Sequence, residues 1–289
     1  MTSGPALVKD LLHAATDRLT GAERQVADAL LRDYPMAGLE SVTRLAEQAA
    51  VSGPTVLRLA RKLGFDGFPE LQAALRAEMA DQIKKPSLKR DARSGAEAGH
   101  VLHRFADAVA ANIAGTLERL DLDRFDAIAE MLGDDTRPVF IAGGRITRAN
   151  ATYFQNHLQI IRPGVVELSA SPSVWPQYIL DMGPGTVLVL FDIRRYEKDL
   201  QKLAQLAVER GAEVVLFTDQ WGSPIASIAA QVVNARVEAP SNWDSTLAVM
   251  LVIEALIAAV QARRWDESRE RIEALEGMFS TTRVFRSFS

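Results

Sequence analysis

Between Val42 and Leu63 apolar residues recur at helical spacing twice over. Val42, Leu45, Ala46 and Ala49 follow the i, i+3, i+4, i+7 rule, and after a short break Val56, Leu59, Ala60 and Leu63 do the same, predicting two helices with facing apolar stripes. Ser52 stands at the cap position of the second helix, and Pro54 lies near its first residue, where a missing N–H costs nothing. The pattern puts Thr55, Arg58, Arg61 and Lys62 on the outer face, with no carboxylate before Asp66. Such a cationic, hydrogen-bond-donating surface suits phosphates and guanine edges. Together with Arg44 and Ser52, these four residues are the candidate DNA contacts. The same spacing also fits an ordinary helical hairpin with a solvated basic face.

Further along, a helical pattern runs from Glu97 to Leu120 with apolar positions at Val101, Leu102, Phe105, Val109, Ile113 and Leu117, and it predicts a bridging helix. After it, strand-like apolar runs alternate with helical stretches. The runs are PVFIAG (138–143), VVEL (165–168), TVLVLFD (186–192), EVVLFTD (213–219) and QVVNARV (231–237). Alternation of this kind predicts βα units around a mostly parallel sheet, whose buried strands are nearly continuous in Val, Leu and Ile. A long helix from Trp243 to Arg264 and a helical segment from Asp266 to about Phe279 complete the pattern. The expected fold is α/β: a small all-helical helix-turn-helix domain (1–83), a linker and bridging helix (84–120), then a three-layer αβα sandwich with a five-stranded sheet (121–289).

In open parallel sheets ligands sit beyond the carboxyl ends of the strands, where helix N-termini offer free N–H groups. That rule singles out Gly143, Gly144, Arg145 and Thr147 after the first strand, and Ser169 and Ser171 after the second. It adds Asp192, Arg194 and Arg195 after the third, and Trp243 and Ser245 before the long helix. Trp175, Trp221 and Trp243 fall near the same presumed rim, where they would pack or would wall a pocket.

Composition narrows the class. The 289 residues, 48% of them hydrophobic, furnish two cores of ordinary size. No apolar run approaches a membrane span and the N-terminus lacks a secretory pattern, so a cytoplasmic protein without membrane association is expected. Absence of cysteine removes disulfides, thiolate nucleophiles and cysteine-ligated metals. With a net charge of −4, DNA affinity has to be local. The strongest basic run, Lys84, Lys85, Lys89, Arg90 and Arg93, reads as a solvated linker or as a supplementary phosphate contact.

The run from Leu19 to Met79, with LTGAERQVADALL, the helix pair and RKLGFDGFPELQAAL, resembles the helix-turn-helix domain of RpiR-type bacterial transcriptional regulators. In that family the second helix of the pair enters the major groove. Region 125–265 resembles the sugar-isomerase (SIS) domain that these regulators carry, in strand order, in the glycine loop and in ERGAEVVLFTDQWGSPIASIAAQVV. The family cradles a phosphate with hydroxyl residues in patterns such as G-x-G-x-S and S-x-S-G-x-T. This chain departs from both, with Arg145 and Thr147 in the first loop and FDIRRYEKD in the third. Arg194 and Arg195 therefore either replace the hydroxyl cradle with guanidinium forks or pair with Asp192 and Glu197.

The resemblance implies a homodimer, or dimer of dimers, that reads an inverted-repeat operator in double-stranded DNA. The paired arginines Arg194 and Arg195, beside a helix start, predict a small acidic or phosphorylated metabolite as ligand. No cofactor and no metal site is expected: His100 and His103 are three apart but lack a third ligand. Gly143-Gly144 lacks the third glycine of a dinucleotide fingerprint, and no Walker sequence occurs. No catalytic residue is assigned, because Glu254, Glu238 and His157, the candidate bases, sit in no catalytic motif. The alternatives are a sugar-phosphate isomerase or other SIS enzyme, and a regulator whose pocket is vestigial.

Overall fold

The structure, a computed structural model, describes residues 7–32, 34–83, 99–283 and 285. The chain forms two compact units, Met1–Ala92 and Arg93–Ser289. The basic run at 84–93 lies outside the described residues.

The first unit is helical: α1 (Val8–Ala15), α2 (Gly21–Arg32), α3 (Met36–Leu39), α4 (Val42–Gln48), α5 (Gly53–Lys62) and α6 (Phe68–Ile83). Leu45, Ala46, Val56, Leu59 and Ala60 meet Val26, Leu30 and Leu71 in one core, so the two stripes read from spacing do face each other. The turn between α4 and α5 is made by Ala50 at φ +52°, with the Val51 amide returning to the Ala46 carbonyl at 2.9 Å. A left-handed backbone at an alanine stores strain that glycine would not. Thr20 and Glu23 form a reciprocal cap on α2: the Thr20 amide donates to Glu23 Oε2 at 2.8 Å, and the Glu23 amide to Thr20 Oγ1 at 3.4 Å. Buried Glu78 accepts from the Val8 amide and the Tyr34 hydroxyl, tying α1 to α6.

The second unit begins with α7 (Val101–Leu117) and α8 (Leu122–Gly133) and continues as β1 (Val139–Gly143), α9 (Arg148–Ile161), β2 (Val165–Glu167), α10 (Trp175–Leu180) and β3 (Val187–Phe191). It ends with α11 (Lys198–Glu209), β4 (Glu213–Asp219), β5 (Gln231–Ala235), α12 (Leu247–Arg263) and α13 (Trp265–Thr282). All five strands are parallel, in the order β2-β1-β3-β4-β5. Alternation sorts the side chains. Val139, Ile141, Val187, Val189, Phe191, Val215 and Phe217 face the core shared with α8, α9 and α12, while Phe140, Leu188, Leu190, Val214 and Leu216 face α10 and α11. The three-layer sandwich follows from this division.

Two sequence expectations shift. The long helix starts at Leu247 rather than Trp243, because residues 239–246 loop back: the Ser245 amide donates to the Val237 carbonyl, and Ser245 Oγ accepts from the Leu247 amide. The helix expected from Glu97 buries only part of its expected stripe, Val109 and in part Phe105 and Ile113, and adds polar positions to it. Val101, Leu102 and Leu117 are exposed, whereas Val109, Asn112, Gly115 and Thr116 are buried. Polar bonds turn the helix this way. Asn112 Nδ2 donates to the Glu238 carbonyl at 2.6 Å, Thr116 Oγ1 accepts from the Arg236 amide at 2.9 Å, and Gly115 leaves room for the Arg236 side chain. Among the described residues, no helix is long and apolar enough to cross a membrane.

Candidate functional site

In the first unit the outward face of α5 is smaller than the pattern suggested. Arg58 and Arg61 are exposed, but Thr55 is only 3% exposed. At a helical advance of 100° per residue, Thr55 falls beside Leu59 at the edge of the buried stripe rather than opposite it. Its Oγ1 accepts from Arg58 Nη2 at 3.0 Å and shares a 3.1 Å bond with Ser52 Oγ, so it orients an arginine that faces outward. Ser52 is the residue before α5, yet its side chain makes no cap bond. Lys62 is not a free cation: its Nζ lies 2.6 Å from Glu23 Oε2 and 2.9 Å from the Arg18 carbonyl. That pair and the Thr20 bonds hold the Glu23 carboxyl well below its ordinary range, at about 2. The T-x-x-E signature at 20–23 was the available signal for this buried acid. Arg44 is exposed and makes a loose 3.6 Å pair with Glu47.

In the second unit the strand order reverses between β1 and β3, the place in a parallel sheet where ligands bind beyond the strand ends. The first loop is tightly closed. The Gly144 amide donates to Thr147 Oγ1 (2.9 Å) and to the Phe191 carbonyl (3.2 Å), and the buried Thr147 hydroxyl donates to that same carbonyl (2.7 Å). A Cβ at Gly143 would stand 2.7 Å from backbone atoms of Thr147 and Arg148, so only glycine fits. Arg145 is exposed, and its amide donates to Glu197 Oε1 at 2.7 Å.

The third loop carries the charge. Arg194 pairs through Nε with Asp244 Oδ2 at 2.9 Å, lies 3.9 Å from the centre of the Trp221 ring and has a side chain only 10% exposed. Its partner is thus an acid forty-seven places beyond Glu197, rather than either sequence neighbour. Nη1 is buried and makes no hydrogen bond. The residue sits at φ +68°, and its amide donates to Asp219 Oδ2. Asp219, fully buried, also accepts from the Tyr196 hydroxyl and from the Trp221 and Gly222 amides. Burial pushes its carboxyl up against the pull of these donors. Asp192 accepts from the Ser223 hydroxyl and the Glu197 amide, and burial raises it to about 6. Arg195 is exposed.

The remaining candidates serve the frame. Ser245 is buried over the start of α12, Ser169 Oγ accepts from the Ser171 amide at 3.3 Å, and Ser171 Oγ bonds to Ser173 Oγ at 2.7 Å. Trp175 and Trp221 are buried and Trp243 is 59% exposed, so of the three tryptophans only Trp243 presents a broad surface to solvent. Two of the three candidate bases meet at Tyr153 and the third lies apart. Glu254 accepts from the Tyr153 hydroxyl and His157 Nδ1 bonds to the Tyr153 carbonyl, both at 2.9 Å, whereas Glu238 is exposed beyond β5. Among the described residues no cluster of three metal-ligating side chains occurs. Spacing found the loops that hold Tyr196, Asp219 and Asp244, and offered Glu197 as a pairing partner for the arginines; it did not find Ser223 or the bonds that these residues make, because each matters through a partner distant in sequence.

Residues 7–82 match the helix-turn-helix domain of the rpiR family, and residues 134–259 match the SIS domain. The HTH-type transcriptional regulator HexR of Escherichia coli (strain K12) is 23% identical over 282 residues, covering 94% of each chain. The chain is an RpiR-type transcriptional regulator. As such it is a ligand-responsive DNA-binding protein, with the reading head in its helical unit and the sensor in its SIS unit. Solved structures agree on the fold. The sugar isomerase domain of an RpiR transcription factor from Sphaerobacter thermophilus covers 61% of the regulator and 97% of itself, at 20% identity and a TM-score of 0.56. Vibrio vulnificus NanR, solved with ManNAc-6P, covers 95% of the regulator and 98% of itself, at 16% identity and a TM-score of 0.53.

Proposed function

We propose that the regulator binds an operator as a homodimer through Arg58 and Arg61 of α5, without catalysing a reaction, and that a small anionic metabolite bound at the strand ends controls it. The single observation that carries the ligand reading is Arg194. Asp244 and Trp221 hold a guanidinium that is nine-tenths buried, and its Nη1 has no protein acceptor. An unsatisfied buried donor of this kind costs free energy unless an acceptor arrives. A charged oxygen is the acceptor that gains most from it. Arg145 and Arg195, exposed on the flanking loops, add positive potential at the same end of the sheet. Only a ligand that prefers one arrangement of the dimer shifts DNA binding.

The NanR relative holds a phosphosugar, which makes sugar phosphates the first probes. Calorimetry of the full chain against hexose 6-phosphates, sugar acids and neutral sugars is expected to show binding of anions alone. Arg194→Ala should weaken that binding about tenfold or more, the worth of one charge-assisted hydrogen bond. A neutral sugar bound equally by parent and variant would sink the reading.

A further inference from the structure

The first loop already holds an anion, and it belongs to the chain. Glu197 precedes α11 but does not cap it; the side chain reaches over to the loop after β1, where Oε1 accepts from the Arg145 amide at 2.7 Å. A Cβ on Gly144 would stand 2.6 Å from that same oxygen and 3.0 Å from the carboxyl carbon. Gly144 does not adopt a left-handed backbone, so its missing side chain serves space: it makes the room that the carboxylate occupies. The contact spans the point where the strand order reverses, between the loops of β1 and β3.

We propose that Glu197 is a specificity-determining residue: it fills the first loop with the chain's own carboxylate, excludes a phosphate from that loop, and leaves Arg194 to meet the charge of a ligand. The argument runs on charge and on donors. Among the other donors of the loop, the Gly144 amide is taken by Thr147 and Phe191 and the Thr147 hydroxyl by Phe191, so Glu197 holds one of the donors that an incoming anion would need. The Glu197 amide itself donates to Asp192 Oδ1 at 3.2 Å, so a second acid stands beside the residue that fills the loop. Arg194, three residues upstream, is the contrasting position, since its Nη1 is a buried donor without an acceptor. The ligand that fits has one anionic group directed at Arg194 and an uncharged group directed at the first loop. This inference rests on the anionic-ligand reading above for the role of Arg194, but the exclusion of phosphate by Glu197 stands or falls separately.

The test uses the full chain with inorganic phosphate as probe, in the parent, Glu197→Ala, and Glu197→Ala combined with Arg194→Ala. Glu197→Ala should bind phosphate about ten- to a hundredfold more tightly than the parent, the worth of a charge-assisted bond regained, and the double variant should keep that gain. Hydrogen exchange at the Arg145 amide gives a second readout: slow in the parent, fast in Glu197→Ala, and slowed again by phosphate. Glu197→Gln preserves the carbonyl acceptor and the shape, so it should keep the amide slow even if the alanine variant folds poorly. Equal phosphate affinity in parent and Glu197→Ala, or an Arg145 amide that exchanges alike in parent, Glu197→Gln and Glu197→Ala, overturns the proposal. A gain in Glu197→Ala together with sugar-anion binding indifferent to Arg194→Ala would instead retain the exclusion and discard the role of Arg194.

Discussion

Asp192 shows how one residue can join stability to the site. Its carboxyl, raised to about 6 from an ordinary 3.8, is almost wholly buried between the Ser223 hydroxyl and the Glu197 amide. A folded-state pKa above the unfolded one means that the folded chain holds the proton longer as pH rises. The contribution favours folding below about pH 4 and is lost as pH rises through 6. We expect Asp192→Asn to gain on the parent by about 3 kcal/mol between pH 4 and pH 8, since a shift of about two pH units corresponds to that order of free energy. Chemical denaturation of both proteins across that range checks it, and a pH-independent difference would contradict it. Residue type and position were legible here, as an acid at the end of a buried strand. The raised pKa was not, because burial and Ser223 come from elsewhere in the chain.

At the scale of the element, α2 and α5 are bound by a charge that no local pattern of α5 contains. Glu23 caps α2 through Thr20 and pairs with Lys62. With its carboxyl held at about 2 against an ordinary 4.5, the contribution of Glu23 is present above about pH 4.5 and fades as pH falls toward 2. Glu23→Gln should therefore cost the helical unit about 1–2 kcal/mol at pH 7 and little at pH 2, measured by denaturant unfolding followed by circular dichroism. The outer face of the same α5 supports a different expectation. Arg58→Ala should weaken specific DNA binding by about 1–3 kcal/mol if the arginine pairs with a guanine, and Arg61→Ala should lower the salt slope by about one unit if it touches phosphate. Both variants should unfold like the parent, since both side chains are exposed. If each binds DNA as the parent does throughout a salt titration, α5 does not read the operator.

For the whole molecule, symmetry is the property to test. A helix-turn-helix dimer places its reading helices about one helical turn of DNA apart, or a multiple of it, and so matches an inverted repeat. Light scattering at micromolar concentration should report a dimer, and footprinting should protect two related half-sites; a monomer that protects one asymmetric half-site refutes this. The sequence by itself determined the order of elements, the parallel sheet and the loops that carry the candidate site. Each of these depends on periodicity, strand length and turn residues, which are local properties of the chain. Tertiary structure decided which charges are available. Lys62 is claimed by Glu23, Arg194 is held by Asp244 with its Nη1 left without an acceptor, and Glu197 reaches the Arg145 amide on another loop. It also buried Arg162 completely, with its guanidinium on the carbonyls of Leu132, Asp134, Arg137 and Pro163. A side chain's pattern position fixes the face it leaves from. Only packing fixes which group, tens of residues away, it meets, and the burial that sets its charge state comes with that meeting.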